Sequence, residues 1–232
     1  MKTQTIFASL IFLAATITGF AQTNSFDHEI APWHKKAVMT CNMLKAPNFD
    51  VAQISKNVSE LESELKIISV KYLYNPPQEY AKDANWKSYF MSLNEYVAVI
   101  KERIENKQFT QASIYFPYFC MTFGKMHRIN GTTNLTDVMF SWRMELKNTS
   151  DMLNAGNVAG ANQNINTVEG IYQKVIAMKA KKNDSILNEL FTPLDEAYTA
   201  WLKELIEGNK EAMNASKNTF INVFAKPYMA TL

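Results

Sequence analysis

The sequence has little glycine and none of the motifs that identify common enzymes. Only 7 glycines occur in 232 residues, and an all-β or α/β chain would need more of them at its turns. It contains no H-E-x-x-H, G-x-S-x-G, P-loop or G-x-G-x-x-G pattern, and no E-x-x-H pair of the kind that binds a di-iron centre. The composition therefore predicts an all-α protein, and we expect no catalytic activity.

An excess of charge of one sign is also missing. The 24 Lys and Arg residues are nearly balanced by 22 Asp and Glu residues, which argues against a partner that is a nucleic acid or an anionic membrane surface. No apolar run in the mature chain is long enough to span a bilayer. A protein of the cell envelope or a small ligand remains the expected partner.

The first residues have the pattern of a secretory signal peptide. Lys2 gives a positive start, an apolar run follows, and Gly19 and Ala21 supply the small residues that precede a cleavage site. We expect residues 1–21 to be removed and the mature chain to begin near Gln22. This predicts a periplasmic or secreted protein of a bacterium.

Apolar residues at helical spacing predict four helices between residues 22 and 130. The clearest stripe consists of Val51, Ile54, Val58, Leu61, Leu65 and Ile68. The first helix, with Pro32 in its first turn, is expected to end near Leu44, and the third near Asn106. The fourth is expected from about Phe109 to about His127.

The second half of the chain repeats the first. The matched residues are Trp33 with Trp142, Met43 with Met152, Tyr96 with Tyr198, Ile104 with Ile206, Ala112 with Ala215, Phe119 with Phe220 and Phe123 with Phe224, with one residue inserted after the third helix. Four further helices are expected at 136–154, 158–181, 184–207 and 210–226. We predict two up-down-up-down four-helix bundles from an internal duplication, at residues 22–130 and 134–232, joined by a polar linker.

The layout of each unit resembles the superfamily of cytochrome c-prime and the soluble b-type four-helix cytochromes. In the c-prime branch the last helix carries C-x-x-C-H-x-x-[FY]-R, which attaches haem. Here Cys120 and Arg128 keep the first and last positions, while Phe123 and Gly124 replace the second cysteine and the axial histidine. Covalent haem needs two thiols and that histidine. The resemblance therefore implies a bundle scaffold without covalent haem, in both halves.

Aromatic residues crowd the predicted fourth helix. They are Tyr115, Phe116, Tyr118, Phe119 and Phe123. Most are expected in the core, where aromatic residues dominate burial, and an apolar pocket lined by them is the alternative.

Two histidines and two cysteines have matching spacing. His34 and Cys41 are seven residues apart on the first helix, and Cys120 and His127 are seven apart on the fourth. Seven residues are two helical turns, so each pair shares a face. If these helices are antiparallel neighbours, one register places Cys41 level with Cys120 and His34 level with His127.

Several interpretations of these four residues stay open. The cysteines are either buried small apolar residues, a Cys41–Cys120 disulfide, or ligands of a metal. The histidines are either solvated groups near helix ends, or ligands of a non-covalent haem or transition metal, with His28 as a third ligand. No metal-binding motif is present.

The second half lacks the four residues together. Their counterparts are Arg143, Ser150, Ile221 and Tyr228, which indicates one local feature of the first unit. We expect a binding or structural module of the cell envelope without a cofactor. The alternative is a carrier of non-covalent haem or a metal, or an electron-transfer protein, that uses His34 and His127.

Overall fold

A computed structural model describes residues 26–232, which form eight α-helices and no strand. The helices are α1 Phe26–Met43, α2 Val51–Tyr72, α3 Trp86–Glu105, α4 Phe109–Asn130, α5 Leu135–Asn154, α6 Val158–Lys182, α7 Ser185–Ile206 and α8 Lys210–Thr231, with a short 3₁₀ turn at Gln78–Tyr80. The all-α prediction is confirmed. The predicted signal peptide at residues 1–21 lies outside the described residues.

Side chains at the helix starts explain several of the boundaries. The Asp50 carboxylate accepts a hydrogen bond from the backbone amide of Gln53 at the start of α2. At the start of α5, Asn134 and Asp137 form a reciprocal capping box. Gly131 ends α4 in the left-handed conformation, with φ of 72°, which glycine adopts without steric cost.

The first helix begins earlier than predicted. It starts at Phe26, and Pro32 lies inside it rather than in its first turn. Phe26 is fully buried against the rings of Trp86 and Phe90 from α3, with ring centres 5.1 and 5.9 Å apart. Burial of this aromatic ring stabilises the additional helical turns before the proline.

Each set of four helices encloses its own hydrophobic core. The first unit consists of α1–α4 and the second unit of α5–α8, and in each unit the first helix also packs against the last. Trp33 lies in the first core with Phe119, and Trp142 lies in the second core with Phe220. Neighbouring helices are antiparallel because the connections are short.

The same polar contact recurs in both units. Asn57 Nδ2 on α2 donates to Thr40 Oγ1 on α1 over 3.2 Å. Asn164 Nδ2 on α6 donates to Thr149 Oγ1 on α5 over 2.9 Å. Both threonines are fully buried. A recurring buried contact of this kind agrees with an internal duplication, which stays a prediction.

Burial changes the predicted match between the units along α3 and α7. Ile104 is 4% exposed, whereas its predicted counterpart Ile206 is 65% exposed and Leu205 is 2% exposed. Likewise buried Val97 corresponds to buried Tyr198. One constant offset in residue number matches Val97 with Tyr198 and Ile104 with Leu205. The same offset matches Phe119 with Phe220. An alignment of the two units therefore needs no inserted residue between these helices.

The two units contact each other through the first and last helices of each. α4 and α1 of the first unit meet α5 and α8 of the second, and Cys120 and Val38 pack against the second core. Within residues 26–232, no helix combines the length and the apolar character required to cross a membrane.

Candidate functional site

The register between α1 and α4 differs from the prediction by two helical turns. His34 Nε2 lies 3.2 Å from Cys120 Sγ, and Cys41 Sγ lies 4.0 Å from the carbonyl oxygen of Ser113. His127 is level with Asp27 instead of His34. Because both pairs are spaced by seven residues, the spacing fits this register as well as the predicted one, and only packing distinguishes them.

The predicted disulfide is therefore wrong. Cys41 and Cys120 are free and buried, and a displacement of two turns separates their levels by about 10 Å along the helix axis. A disulfide requires Cα atoms within about 7 Å of each other. The alternative, in which both are buried small residues, is the one that the structure shows.

Cys120 links the two units through a short chain of polar contacts. Its thiol lies against His34 Nε2 on α1, and the hydroxyl of Tyr228 on α8 is near enough to lower its pKa. The His34 ring packs 4.8 Å from the ring of Phe123 and 6.3 Å from that of Tyr228. All of these side chains are buried, so the solvated interpretation of His34 is wrong.

His34 and Cys120 form a neutral pair. Burial, with a smaller effect of the charge on His127, lowers the pKa of His34 from 6.5 to about 3. Burial raises the pKa of the Cys120 thiol to about 12, although Tyr228 and Arg143 act in the opposite direction. A nucleophilic cysteine needs a thiolate near neutral pH. This pair instead keeps its proton on sulfur, which suits a structural hydrogen bond.

His127 lies between two carboxylates, in an arrangement that we call the His127 clamp (Asp27, His127 and Asp137). His127 Nδ1 lies 2.8 Å from Asp137 Oδ2, and Nε2 lies 3.4 Å from Asp27 Oδ1. The hydroxyl of Tyr80 donates to the same Asp27 oxygen over 2.7 Å. The clamp joins the start of α1, the end of α4 and the start of α5, and so holds the units together beside the linker.

The clamp holds His127 as a cation. Burial lowers the pKa of His127, but the contacts with Asp137 and Asp27 outweigh that effect and raise the pKa from 6.5 to about 9. Burial raises the pKa of Asp27, yet the contacts with His127 and Tyr80 leave it below its usual value. The exposed fraction of His127 is 5%, so the solvated interpretation is wrong for this residue as well.

The two histidines do not converge on one position. Each ring of the pair is engaged elsewhere, His34 by Cys120 and His127 by the two carboxylates. A haem bound by both imidazoles would require the buried clamp to open. Among residues 26–232, no group of three or more His, Cys, Asp or Glu residues is placed to hold a metal ion.

A cavity of about 380 Å³ lies between the two units. Helices α1, α4, α5 and α8 all contribute to its wall, and His34, Cys41 and Cys120 line it together with Phe116, Phe140 and Phe224. We call it the inter-unit cavity. Its volume falls in the range of small-molecule sites, which are mostly apolar with a few polar groups.

A larger groove lies beside the cavity. The groove has a volume of about 880 Å³ and runs along α3, α4, α5 and α6. The two spaces share part of their wall, which consists of Tyr118, Cys120, Met121, Phe140 and Met144.

Sequence reasoning singled out three of the cavity residues as a possible site and named the aromatic residues of α4 as lining an alternative apolar pocket. His34, Cys41 and Cys120 line the cavity, whereas His127 belongs to the clamp. Tyr228 was noted only as the counterpart of His127. Phe116, Phe119 and Tyr118 line the cavity, so the aromatic residues of α4 serve both the core and a pocket. The proximity of α1 and α8 carried no signal in the sequence.

Comparison of the chain with protein-family models, with curated proteins and with solved structures gives no match.

Proposed function

We propose that this protein is an exported binding module of the cell envelope that holds a small, largely apolar molecule in the inter-unit cavity. The observation that carries the proposal is the cavity itself, which is lined by all four contacting helices of the two units. A concave, mostly apolar space with a few polar side chains is the usual form of a small-molecule site. The pattern of residues 1–21 supports export.

The chemistry of the wall favours binding over catalysis. The cysteine and histidine that line the cavity are both neutral near pH 7, since the pKa of Cys120 is about 12 and that of His34 about 3. Neither is suited to proton transfer at neutral pH, where a general acid or base has a pKa near the working pH. Their hydrogen bond instead fixes the wall of the cavity.

The carrier of haem or metal is the less favoured function. The resemblance to the cytochrome c-prime superfamily motivates it. A bis-histidine site would have to separate His127 from Asp27 and Asp137, which leaves two carboxylates in a buried region without their cation. A bis-histidine haem spectrum that disappears in His127→Ala would overturn our preference for the cavity.

Titration with the uncharged fluorescent dye Nile red tests the proposal. We expect saturable binding with strongly increased fluorescence. Ala225 lines the cavity on α8, so Ala225→Phe fills part of it and should weaken binding at least about tenfold, as the loss of roughly 1.4 kcal/mol implies. Ala215→Phe, at an exposed site of the same helix, is the matched control and should bind as the wild type does.

Circular dichroism and unfolding curves establish that both variants are folded before binding is compared. Equal binding by wild type and by folded Ala225→Phe would show that the dye lies elsewhere and would contradict the proposal. Absence of saturable binding in the wild type would contradict it as well.

A further inference from the structure

Arg143 brings an uncompensated positive charge to the inter-unit cavity. Its guanidinium carbon lies 5.5 Å from the ring centre of Phe224, and the residue lines the cavity from α5. Within residues 26–232, no carboxylate forms an ion pair with Arg143. A guanidinium beside an apolar space gains from an anionic partner that fits its fork of donors.

The remaining charges at the cavity have the same sign. Lys45 and Lys147 also line it, and no Asp or Glu does. Lys147 is already paired with Asp151 one turn along α5. Lys45 has no ion pair among the described residues either, but it is exposed beyond the end of α1, whereas Arg143 is partly buried. Arg143 is therefore the better-placed cation in the wall for a ligand, and the wall offers no negative charge to repel an anion.

The polar neighbours of Arg143 do not neutralise it. Burial raises the pKa of Cys41, Cys120 and Tyr228, and the nearby charge of Arg143 opposes that rise in each case without overcoming it. The two thiols and the phenol stay protonated near neutral pH. His34, on the opposite wall, is uncharged.

The positive charge of Arg143 has no counterpart at the matching position of the first unit. Arg143 on α5 corresponds to His34 on α1 in the repeat. His34 is enclosed by Cys120, Phe123 and Tyr228, whereas Arg143 is only partly buried. At these matching positions the first unit thus has a neutral imidazole and the second unit a cation, while Lys45 of the first unit lies exposed at the edge of the cavity.

We propose that the ligand is an amphipathic anion whose carboxylate or phosphate oxygens bind the Arg143 guanidinium while its apolar chain lies against the aromatic wall of the inter-unit cavity. This inference rests on the proposed function and adds the chemical class of the ligand.

Competition against Nile red with three molecules of equal chain length tests the inference. The competitors are dodecanoate, dodecyl phosphate and the neutral dodecanol, each below its micelle concentration. We expect at least one anion to displace the dye at a concentration roughly tenfold lower than dodecanol does, since a charge-assisted hydrogen bond contributes about that factor. Preference between the two anions identifies the headgroup.

Arg143→Met keeps an unbranched apolar stem and removes the charged guanidinium. It should abolish the preference for the anion and leave displacement by dodecanol unchanged. Arg103→Met is the matched control, because Arg103 donates to Gln108 at the far end of α3 and does not line the cavity. This control should retain the preference.

The outcomes separate the inference from the proposed function. If dodecanol displaced Nile red from the cavity as effectively as both anions do, the ligand would not be an anion. The proposal of a binding module would still stand. If Arg143→Met weakened displacement of Nile red by dodecanol and by dodecanoate equally, Arg143 would act by packing and not by its charge. That result would also contradict the inference.

Discussion

The two units share a helical plan, but they differ in how well their buried polar groups are satisfied. In the first unit, Trp33 Nε1 donates to the Leu61 carbonyl oxygen and Trp86 Nε1 to that of Tyr72, each over 2.8 Å. In the second unit, the corresponding Trp142 Nε1 is buried without a hydrogen-bond partner among the described residues, as is the hydroxyl of Tyr198. The first unit has one such atom, His127 Nε2, and it lies 3.4 Å from the Asp27 carboxylate. Unpaired buried polar groups cost free energy.

The second helix of each unit accounts for part of this difference. α2 buries Ile54, Val58, Leu61, Leu65 and Tyr72, whereas the longer α6 buries only Ala161, Val168 and Val175. α2 packs against both of its neighbours, while α6 packs mainly on α5 and touches α7 at few positions. The comparison shows that α6 covers its core with fewer buried side chains than α2 does and packs almost entirely on one neighbour.

The largest expected effect concerns the His127 clamp. At the position that matches His127, the second unit has Tyr228. His127→Ala removes the cation between Asp27 and Asp137, and we expect it to lower the free energy of unfolding by about 3 kcal/mol. Tyr228→Phe removes only a neutral hydroxyl from the matching position and should cost about 1 kcal/mol. Chemical denaturation of both variants measures the difference, and equal losses would contradict the account of the clamp.

The contribution of the clamp should depend on pH in a defined direction. The pKa of His127 is raised from 6.5 to about 9, so the folded state binds the proton more tightly than the unfolded state does. Its stabilisation is fully present below about pH 6.5 and is lost as the pH rises through about 9. The difference in unfolding free energy between wild type and His127→Ala should therefore shrink between pH 6 and pH 10, and a constant difference would contradict this.

Removal of a buried tyrosine hydroxyl should have opposite effects in the two units. Tyr80→Phe loses the hydrogen bond to Asp27 and should lower the free energy of unfolding by about 1 kcal/mol. Tyr198→Phe removes a hydroxyl that has no partner and should raise the free energy of unfolding by up to about 1 kcal/mol. A destabilised Tyr198→Phe would indicate that this hydroxyl is satisfied.

The matched tryptophans provide a finer comparison. Trp33→Phe and Trp142→Phe lose the same volume from corresponding places in the two cores, but only Trp33 also loses a hydrogen bond, to Leu61. We expect Trp33→Phe to cost about 1 kcal/mol more than Trp142→Phe. Thermal unfolding monitored by circular dichroism measures both, and a greater loss in Trp142→Phe would reverse the comparison.

The smallest expected effect concerns the rate at which Cys41 and Cys120 react with a thiol reagent. Cys41 and Cys120 are free and buried, and the pKa of each thiol is raised. The native protein should therefore react slowly with a thiol reagent. Protein denatured without reductant should show two reactive thiols. The second unit has no cysteine, so both thiols report on the first. If no thiol were detected, the hypothesis of a Cys41–Cys120 disulfide would be supported again.

The sequence was sufficient to predict the helices but not the register between them. Periodicity predicted the four helices of the first unit because apolar residues repeat at helical spacing along each buried face, and the match between the two halves predicted the other four. The seven-residue spacing of His34, Cys41, Cys120 and His127 placed each pair on one face, and that spacing is equally compatible with registers two turns apart. The packing of Trp33 on Phe119 and the charge of Asp27 opposite His127 decide between them.

The cavity was beyond prediction for a different reason. It forms where helices far apart in sequence, α1 and α8, meet beside α4 and α5, and a single sequence carries no information on such contacts. The aromatic residues of α4 and the replacement of His34 by Arg143 in the second unit were the available signals. Neither signal indicated that the two units share one binding site.

The central claim is that the ligand binds between the units and not within either bundle, and methionine methyl NMR tests it directly. Met121 and Met144 line the cavity, whereas Met126 and Met213 are buried in the first and second cores, with exposed fractions of 1% and 0%. Single Met→Leu variants assign the four signals in ¹³C-methyl-labelled protein. On addition of dodecanoate we predict that the Met121 and Met144 signals shift while those of Met126 and Met213 do not. A shift of Met126 or Met213 with Met121 and Met144 unchanged would contradict the account.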